Sequence, residues 1–230
     1  MLIDCKDIVF HYPGTETQIF RNLNFQIKGP GFHALFGPSG VGKTTLAKMI
    51  AGEITEFLGE IHLQDSCKVL YSYNLERIPG WCSVGEHLSE IACSSTANKL
   101  DELVAAFGLR DCLNSRFSQL SLGQQNRCNL TRYLLQKFDL LIMDESLANV
   151  DELTRQQIIS AIKTSFPDKC FLYISHNVIE VAKFCKAIVA LRSMHRRPQV
   201  STVAGLDYVE GEALDKDVLE QAMLELVNAS

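Results

Sequence analysis

Residues 32–45, FHALFGPSGVGKTT, leave this chain little choice of fold. A short apolar run ends in GPSGVGKTT at 37–45, which fits G-x-x-x-x-G-K-[ST], and a helix is predicted from about Lys43 to Ile50, stopped by Gly52. A glycine-rich turn between strand and helix lets successive N–H groups converge, and the helix adds its positive N-terminal dipole. Gly37, Pro38, Ser39, Gly40, Val41, Gly42, Lys43, Thr44 and Thr45 are therefore read as a cradle for nucleotide phosphates. Lys43 would reach the β- and γ-phosphates, and the Thr44 hydroxyl would ligate Mg²⁺. An ordinary glycine-rich turn is the competing explanation, and the strand before it and helix after it oppose that.

The rest of the chain fits a doubly layered α/β arrangement around that loop. Residues 2–10 and the alternating Leu23, Phe25 and Ile27 predict an N-terminal antiparallel layer. IHL (61–63), KVLYSY (68–73), DLLIM (139–143), CFLYIS and AIVAL read as further strands, alternating with helical segments in the last third. That alternation predicts a phosphate-loop core with a mainly parallel sheet. The pattern is helical from about Val84 to Phe107 and again from about Leu122 to Lys137, an inserted α-helical lobe over about 84–137. A core domain is expected over 1–192. An extension over 193–230 carries the basic patch RSMHRRP and an amphipathic helix with Val218, Leu219, Ala222, Met223 and Leu226 on one face.

Composition narrows the function classes. The longest apolar runs, such as LLIM and AIVAL, are strand-sized and far short of the ~20 residues that cross a bilayer. The N-terminus has no basic segment followed by an apolar one, so a chain kept in the cytoplasm is expected. Eight cysteines without a single CxxC read as packed, reduced thiols. The formal net charge of −5 argues against nucleic acid as a partner, because no overall basic field exists to neutralise phosphates.

LLIMDE (140–145) puts two carboxylates where a buried strand leaves the sheet, the position where open α/β sheets bind ligands. Beside a phosphate loop, Asp144 is placed to hold Mg²⁺ and Glu145 to orient and deprotonate an attacking water. NKLD (98–101) has the look of a guanine-reading motif. It opens an amphipathic segment instead of following a buried strand, so Asn98 is expected to be a helix N-cap.

LSLGQQ at 120–125 supplies no nucleophile or metal pair. Ser121 with Gln124 forms a capping box before an apolar run, which accounts for both residues. Gly123 remains unexplained, since glycine is a poor helix former in a first turn unless something must approach the backbone closely. With these motifs in this order, residues 1 to about 192 resemble the ATP-binding cassette family of transporter ATPases, whose signature LSGGQ stands here as LSLGQ. The resemblance implies that Leu120, Ser121, Leu122, Gly123 and Gln124 face ATP held by another subunit. A head-to-tail dimer, of two like chains or with a related ATPase, would form two composite sites. It implies that Tyr12 stacks on adenine, that His176 in CFLYISH bonds the γ-phosphate and orients Glu145, and that Asp151 belongs to a loop crossing the interface. Asp151 also suits a helix N-cap.

Three positions depart from the family pattern. Leu122 replaces a glycine, Ser146 replaces a proline, and Asn74 stands where the family's metal-contacting glutamine falls. Asn74 is shorter by one methylene, so contact with the metal would need an intervening water. PGWCSVGEHL and DELTR resemble the importer ATPases for nitrate, sulfonates and taurine. Only about 75 residues separate the phosphate loop from the signature, too few for the long coiled-coil insertions of chromosome-maintenance relatives. The expectation is an ATPase, with ATP and Mg²⁺, peripheral on the cytoplasmic face of the membrane. It would drive separate permease subunits, as an importer of a small anion. A non-transporting cassette ATPase working through protein contacts and an exporter ATPase are the alternatives.

Overall fold

The computed structural model describes residues 2–15, 17–74, 76–78, 80–92 and 97–230. Pro79 of PGWCSVGEHL and residues 93–96 of the ACSSTA run lie outside the described residues. The fold is α/β. Three antiparallel strands, β1 (Leu2–His11), β2 (Gln18–Lys28) and β4 (Leu58–Leu63), form a small sheet in the order β2-β1-β4. The larger sheet contains β3 (Gly31–Phe36), β5 (Val69–Tyr73), β6 (Leu140–Asp144), β7 (Cys170–Ile174), β8 (Ala187–Leu191) and β9 (Val200–Ala204), in the order β5-β6-β7-β3-β8-β9. Its first five neighbours pair in parallel, and β9 closes the edge antiparallel to β8.

Both faces of the large sheet are covered, which is why its central strands read as unbroken apolar runs. Leu141, Met143, Phe171 and Tyr173 point into one core, Leu140, Ile142, Leu172 and Ile174 into the other. The second core also takes the inner face of the small sheet, including Ile3, Ile8 and Phe20, and helix α1 (Lys43–Ile50). Against the first core pack α2 (Val84–Ile91), α3 (Leu100–Ala106), α4 (Leu122–Leu134), α5 (Glu152–Ser165) and α6 (Val178–Phe184).

Several local expectations change. The helical stretch after Val84 is two short helices, α2 and α3. Asn98 sits in a tight 3₁₀ turn, Ala97–Lys99, that runs directly into α3. Lys99, already helical at φ −90° and ψ −11°, occupies the cap position with no side-chain bond, so Asn98 is not the N-cap. Helix α4 ends at Leu134, short of Lys137, with Leu135 as its C-cap and both Leu135 and Phe138 buried. VSTVA at 200–204 is a strand that the basic patch before it obscured. The last helix, α7 (Lys216–Ala229), packs on α6 and β9 and buries Ala222, Leu226 and Ala229, while Val218 in its first turn faces outward. No described helix is long and apolar enough to cross a membrane.

Cys5, Cys128 and Cys170 are buried, and burial pushes each thiol up to about 12, so they stay protonated packing groups. His33 on β3 is buried with neither ring nitrogen in a hydrogen bond of good geometry. Burial lowers its imidazole from 6.5 to about 4, the backbone of Gly29 opposing only in part. As pH falls from about 6.5 to about 4, the unfolded chain takes up a proton that the folded chain refuses, so stability is lost across that window. His33→Leu should flatten the pH dependence of urea unfolding there. A slope equal to the parent's would show that other groups set the acid sensitivity.

Candidate functional site

The register of the parallel sheet assembles the site. Leu35 on β3 and Asp144 on β6 both pair with Ile174 on β7, and Tyr73 on β5 pairs with Asp144. Four strands therefore end level, and the segments beyond them, 37–45, 74, 145 and 175–176, emerge side by side at one rim of the sheet.

In the phosphate loop, Gly42 is the N-cap of α1 at φ 102°, and a Cβ there would overlap Ile19 and Phe20. Only glycine allows the loop to fold this tightly against β2. Lys43 is buried and donates from Nζ to the carbonyls of Gly37 (2.8 Å) and Pro38 (2.9 Å). Burial holds its ammonium below the ordinary lysine value, with Glu145 and Asp144 opposing. Tyr12 follows β1 with 42% of its surface exposed. It rests edge-on against Phe10, and its hydroxyl lies 2.8 Å from Thr45 Oγ1, which ties it to the start of α1.

Thr44, Asn74, Asp144 and Glu145 line one cavity of about 510 Å³. His176 Nε2 lies 2.6 Å from Glu145 Oε1 at its rim. Tyr71 donates its hydroxyl to Asp144 Oδ2 at 2.8 Å, leaving Oδ1 for another partner. Sequence reading missed Tyr71, which looked like one more apolar strand residue. Among the described residues, no cluster of three or more His, Cys, Asp and Glu side chains could hold a metal. The donor set suits Mg²⁺ all the same. Mg²⁺ takes hard oxygen ligands, keeps several waters, and is held by one or two carboxylates together with nucleotide phosphates. The Thr44 hydroxyl and Asp144 carboxylate provide that. The Asn74 carboxamide adds an oxygen that already accepts from Asn126 Nδ2 at 2.9 Å.

Glu145 leaves β6 with φ 51°, and Asn149 has φ 62°. Left-handed backbone at non-glycine residues costs about 1–3 kcal/mol each and persists only where the surroundings hold it. Here Glu145 N–H donates to the Ile174 carbonyl (3.2 Å) and Ala148 N–H to the Glu145 carbonyl (2.9 Å). The buried Ser146 hydroxyl bonds the Ser72 carbonyl and lies 2.9 Å from the Ser72 hydroxyl. That explains the departure at 146: the serine ties the turn to β5, which a proline could not do.

Ser121 and Gln124 make the expected capping box: Gln124 N–H donates to Ser121 Oγ, and Ser121 N–H donates to Gln124 Oε1. Leu120 is buried, whereas Leu122 stands out from the first turn of α4 with 51% exposed. The group that approaches Gly123 belongs to the same chain. A Cβ there would overlap the carbonyl oxygen of Asn149. Asp151 accepts from Thr154 N–H at 2.9 Å as the N-cap of α5, and that bond holds its carboxyl below the ordinary aspartate value.

A phosphate loop after the central strand of a parallel sheet, with carboxylates leaving the next strand but one, defines a nucleotide-binding α/β protein of the phosphate-loop class. The chain belongs to the ABC transporter family, whose model matches residues 20–148. It is 28% identical over 183 residues to an uncharacterized ABC transporter ATP-binding protein of Haemophilus influenzae, covering 76% of each chain. It is 30% identical over 195 residues to the taurine import ATP-binding protein TauB of Jannaschia sp., covering 77% of this chain and 72% of TauB. It is 33% identical over 181 residues to the molybdenum import ATP-binding protein ModC of Brucella abortus. There the match covers 70% of this chain but spans only half the length of ModC. Among solved structures, a bacterial Atm1-family ABC exporter with ATP bound shares the fold with a TM-score of 0.77 at 18% identity, over 96% of this chain and 42% of that one.

Replacing a glycine by alanine within a helix ordinarily stabilises it by about 1 kcal/mol. At Gly123 the sign should reverse: Gly123→Ala is expected to lose about 1–3 kcal/mol of unfolding free energy in denaturant, through overpacking on Asn149. A stabilised variant would show that the two segments separate freely.

Proposed function

We propose that this chain is the ATP-hydrolysing subunit of an importer for a small anion, bound to separate permease subunits on the cytoplasmic face of the membrane. The observation that carries the hydrolytic part is the 2.6 Å contact of His176 with Glu145 beside a cavity lined by Thr44 and Asp144. In this reading the N–H groups of residues 37–45 and the Lys43 ammonium bind the ATP phosphates, while Tyr12 stacks on adenine, an interaction worth about 1–3 kcal/mol per base. Thr44 and Asp144 would hold Mg²⁺, with Asn74 beside them, and Tyr71 keeps the Asp144 carboxylate aimed. Bound there, Mg²⁺ would neutralise charge on the phosphate oxygens. His176 holds the Glu145 carboxylate towards the attacking water. Glu145 takes a proton as the water oxygen bonds the γ-phosphorus and the bond to the bridging oxygen breaks, leaving ADP and phosphate.

Residues 120–124 and the loop at Asp151 serve the ATP site of a partner subunit. Ser121, with its hydroxyl at a helix N-terminus, is suited to an anion. The exposed Leu122 is the residue of that surface with least to offer a phosphate. Import is supported by the names of relatives, the taurine and molybdenum import ATP-binding proteins. A small anion as cargo rests on the resemblance of PGWCSVGEHL and DELTR to importer ATPases for nitrate, sulfonates and taurine.

Glu145→Gln should still bind ATP while hydrolysis falls about 10²–10⁴-fold, the usual contribution of a general base. The same variant should elute as a dimer with ATP and as a monomer without it. Turnover near the parent rate would remove Glu145 from its role, and unchanged elution would count against the shared site. If Leu122 hinders closure, Leu122→Gly should raise ATPase activity, and a fall would make leucine an adapted part of the surface. Co-purification with a membrane subunit separates a transporter from a cassette ATPase acting through soluble partners.

A further inference from the structure

Asn126 lies in the second turn of α4 with only 2% of its surface exposed. A carboxamide nitrogen carries two hydrogens, and both are committed across element boundaries. One goes to Asn74 Oδ1 at 2.9 Å, the other to the carbonyl of Ala148 at 2.6 Å. Asn74 stands beyond β5 and faces the cavity shared by Thr44, Asp144 and Glu145, with its own N–H donating to the Asp144 carbonyl at 3.1 Å. Ala148 closes the left-handed turn that starts at Glu145. One nitrogen on one helix therefore touches both the carboxamide facing the metal position and the turn that aims the water-activating carboxylate.

The geometry assigns Asn126 as a positioning residue for the metal site, joining the helix that begins at Ser121 to Asn74 and to the turn at Glu145. Because Asn126 donates, it fixes the orientation of the Asn74 amide. Oδ1 is held towards α4 with one lone pair occupied, and the other is left for a metal ion or a water on it. A shift of α4 would move Asn74 and the Glu145 turn together, since both hang on the same nitrogen. Buried polar groups that orient a ligand in this way control its affinity without touching the metal.

This assignment rests on the ATPase reading, and the test separates the two. A fluorescent ATP analogue is titrated onto the full chain without metal, which reads the phosphate loop alone. Mg²⁺ is then titrated in, and its midpoint reads the metal site. Asn126→Leu keeps the side chain's branching and removes the donor. It is expected to raise the Mg²⁺ midpoint about 10–100-fold, the usual effect of losing such a partner. Metal-free binding should change less than about twofold. In an Asn74→Ala background the same substitution should add less than about threefold, because the two side chains act as a unit. Asn126→Ala gives the same readings if leucine prevents folding. An unmoved Mg²⁺ midpoint, parallel losses with and without metal, or a full effect in the Asn74→Ala background would each overturn the assignment and leave Asn126 a packing residue. A parent chain that binds no nucleotide would instead overturn the ATPase reading and the assignment with it.

Discussion

The hydrogen-bonded register of β3, β7 and β6 is the constraint on which the rest of the site depends. These parallel strands are buried on both faces, so a slip of one residue would turn Leu35, Ile142 or Leu172 from one core into the other. The cores therefore lock the register, and the locked register sets Phe36, Asp144 and Ile174 at one rim. The segments proposed to handle phosphate, metal and water are hung from those ends. Groups 31 residues apart in the chain meet within a hydrogen bond's length, as Glu145 and His176 do.

The turn after Asp144 is fastened from three directions. Ser72 on β5 bonds Ser146, Ile174 on β7 holds the Glu145 amide, and Asn126 on α4 holds Ala148. Each neutral bond is worth about 0.5–1.5 kcal/mol, comparable to the cost of the left-handed residues they retain. The turn and the first turns of α4 also meet at Gly123, where the Asn149 carbonyl leaves no space for a side chain. The proposed signature surface and the turn that carries Glu145 are thus parts of one fastened unit. A change felt at Ser121 has a short, physically continuous route to the cavity.

Much of this was legible in the residues. The phosphate loop, the acidic strand end and the capping box at Ser121 and Gln124 are local patterns whose chemistry depends on neighbours in sequence, so reading them needs no tertiary information. The alternation of Leu23, Phe25 and Ile27 likewise announced a half-buried antiparallel strand. Where reading failed, a distant neighbour decided the outcome. Asn98 looked like a cap because nothing local showed that a 3₁₀ turn would carry straight into α3. VSTVA was passed over because its partner β8 lies across a basic hairpin. Val218 follows the helical period but falls where nothing covers α7. Tyr71 and Asn126 carried no signal, since a tyrosine in a strand and an asparagine in a helix acquire a role only from what they touch.

By itself, then, the sequence determined the class of fold, the order of its motifs, and which side chains are candidates to meet phosphate, metal and water. These follow from periodicity, from glycines that permit a tight loop, and from charges placed at strand ends. Only the tertiary structure decided which of those side chains are held, and by what. It set Tyr71 on Asp144 and Asn126 between Asn74 and Ala148. It also showed that Gly123 makes room for the chain's own Asn149 carbonyl. The physical reason is range: hydrogen bonds and steric contacts act over a few ångströms, and folding alone brings groups so far apart in sequence within that distance.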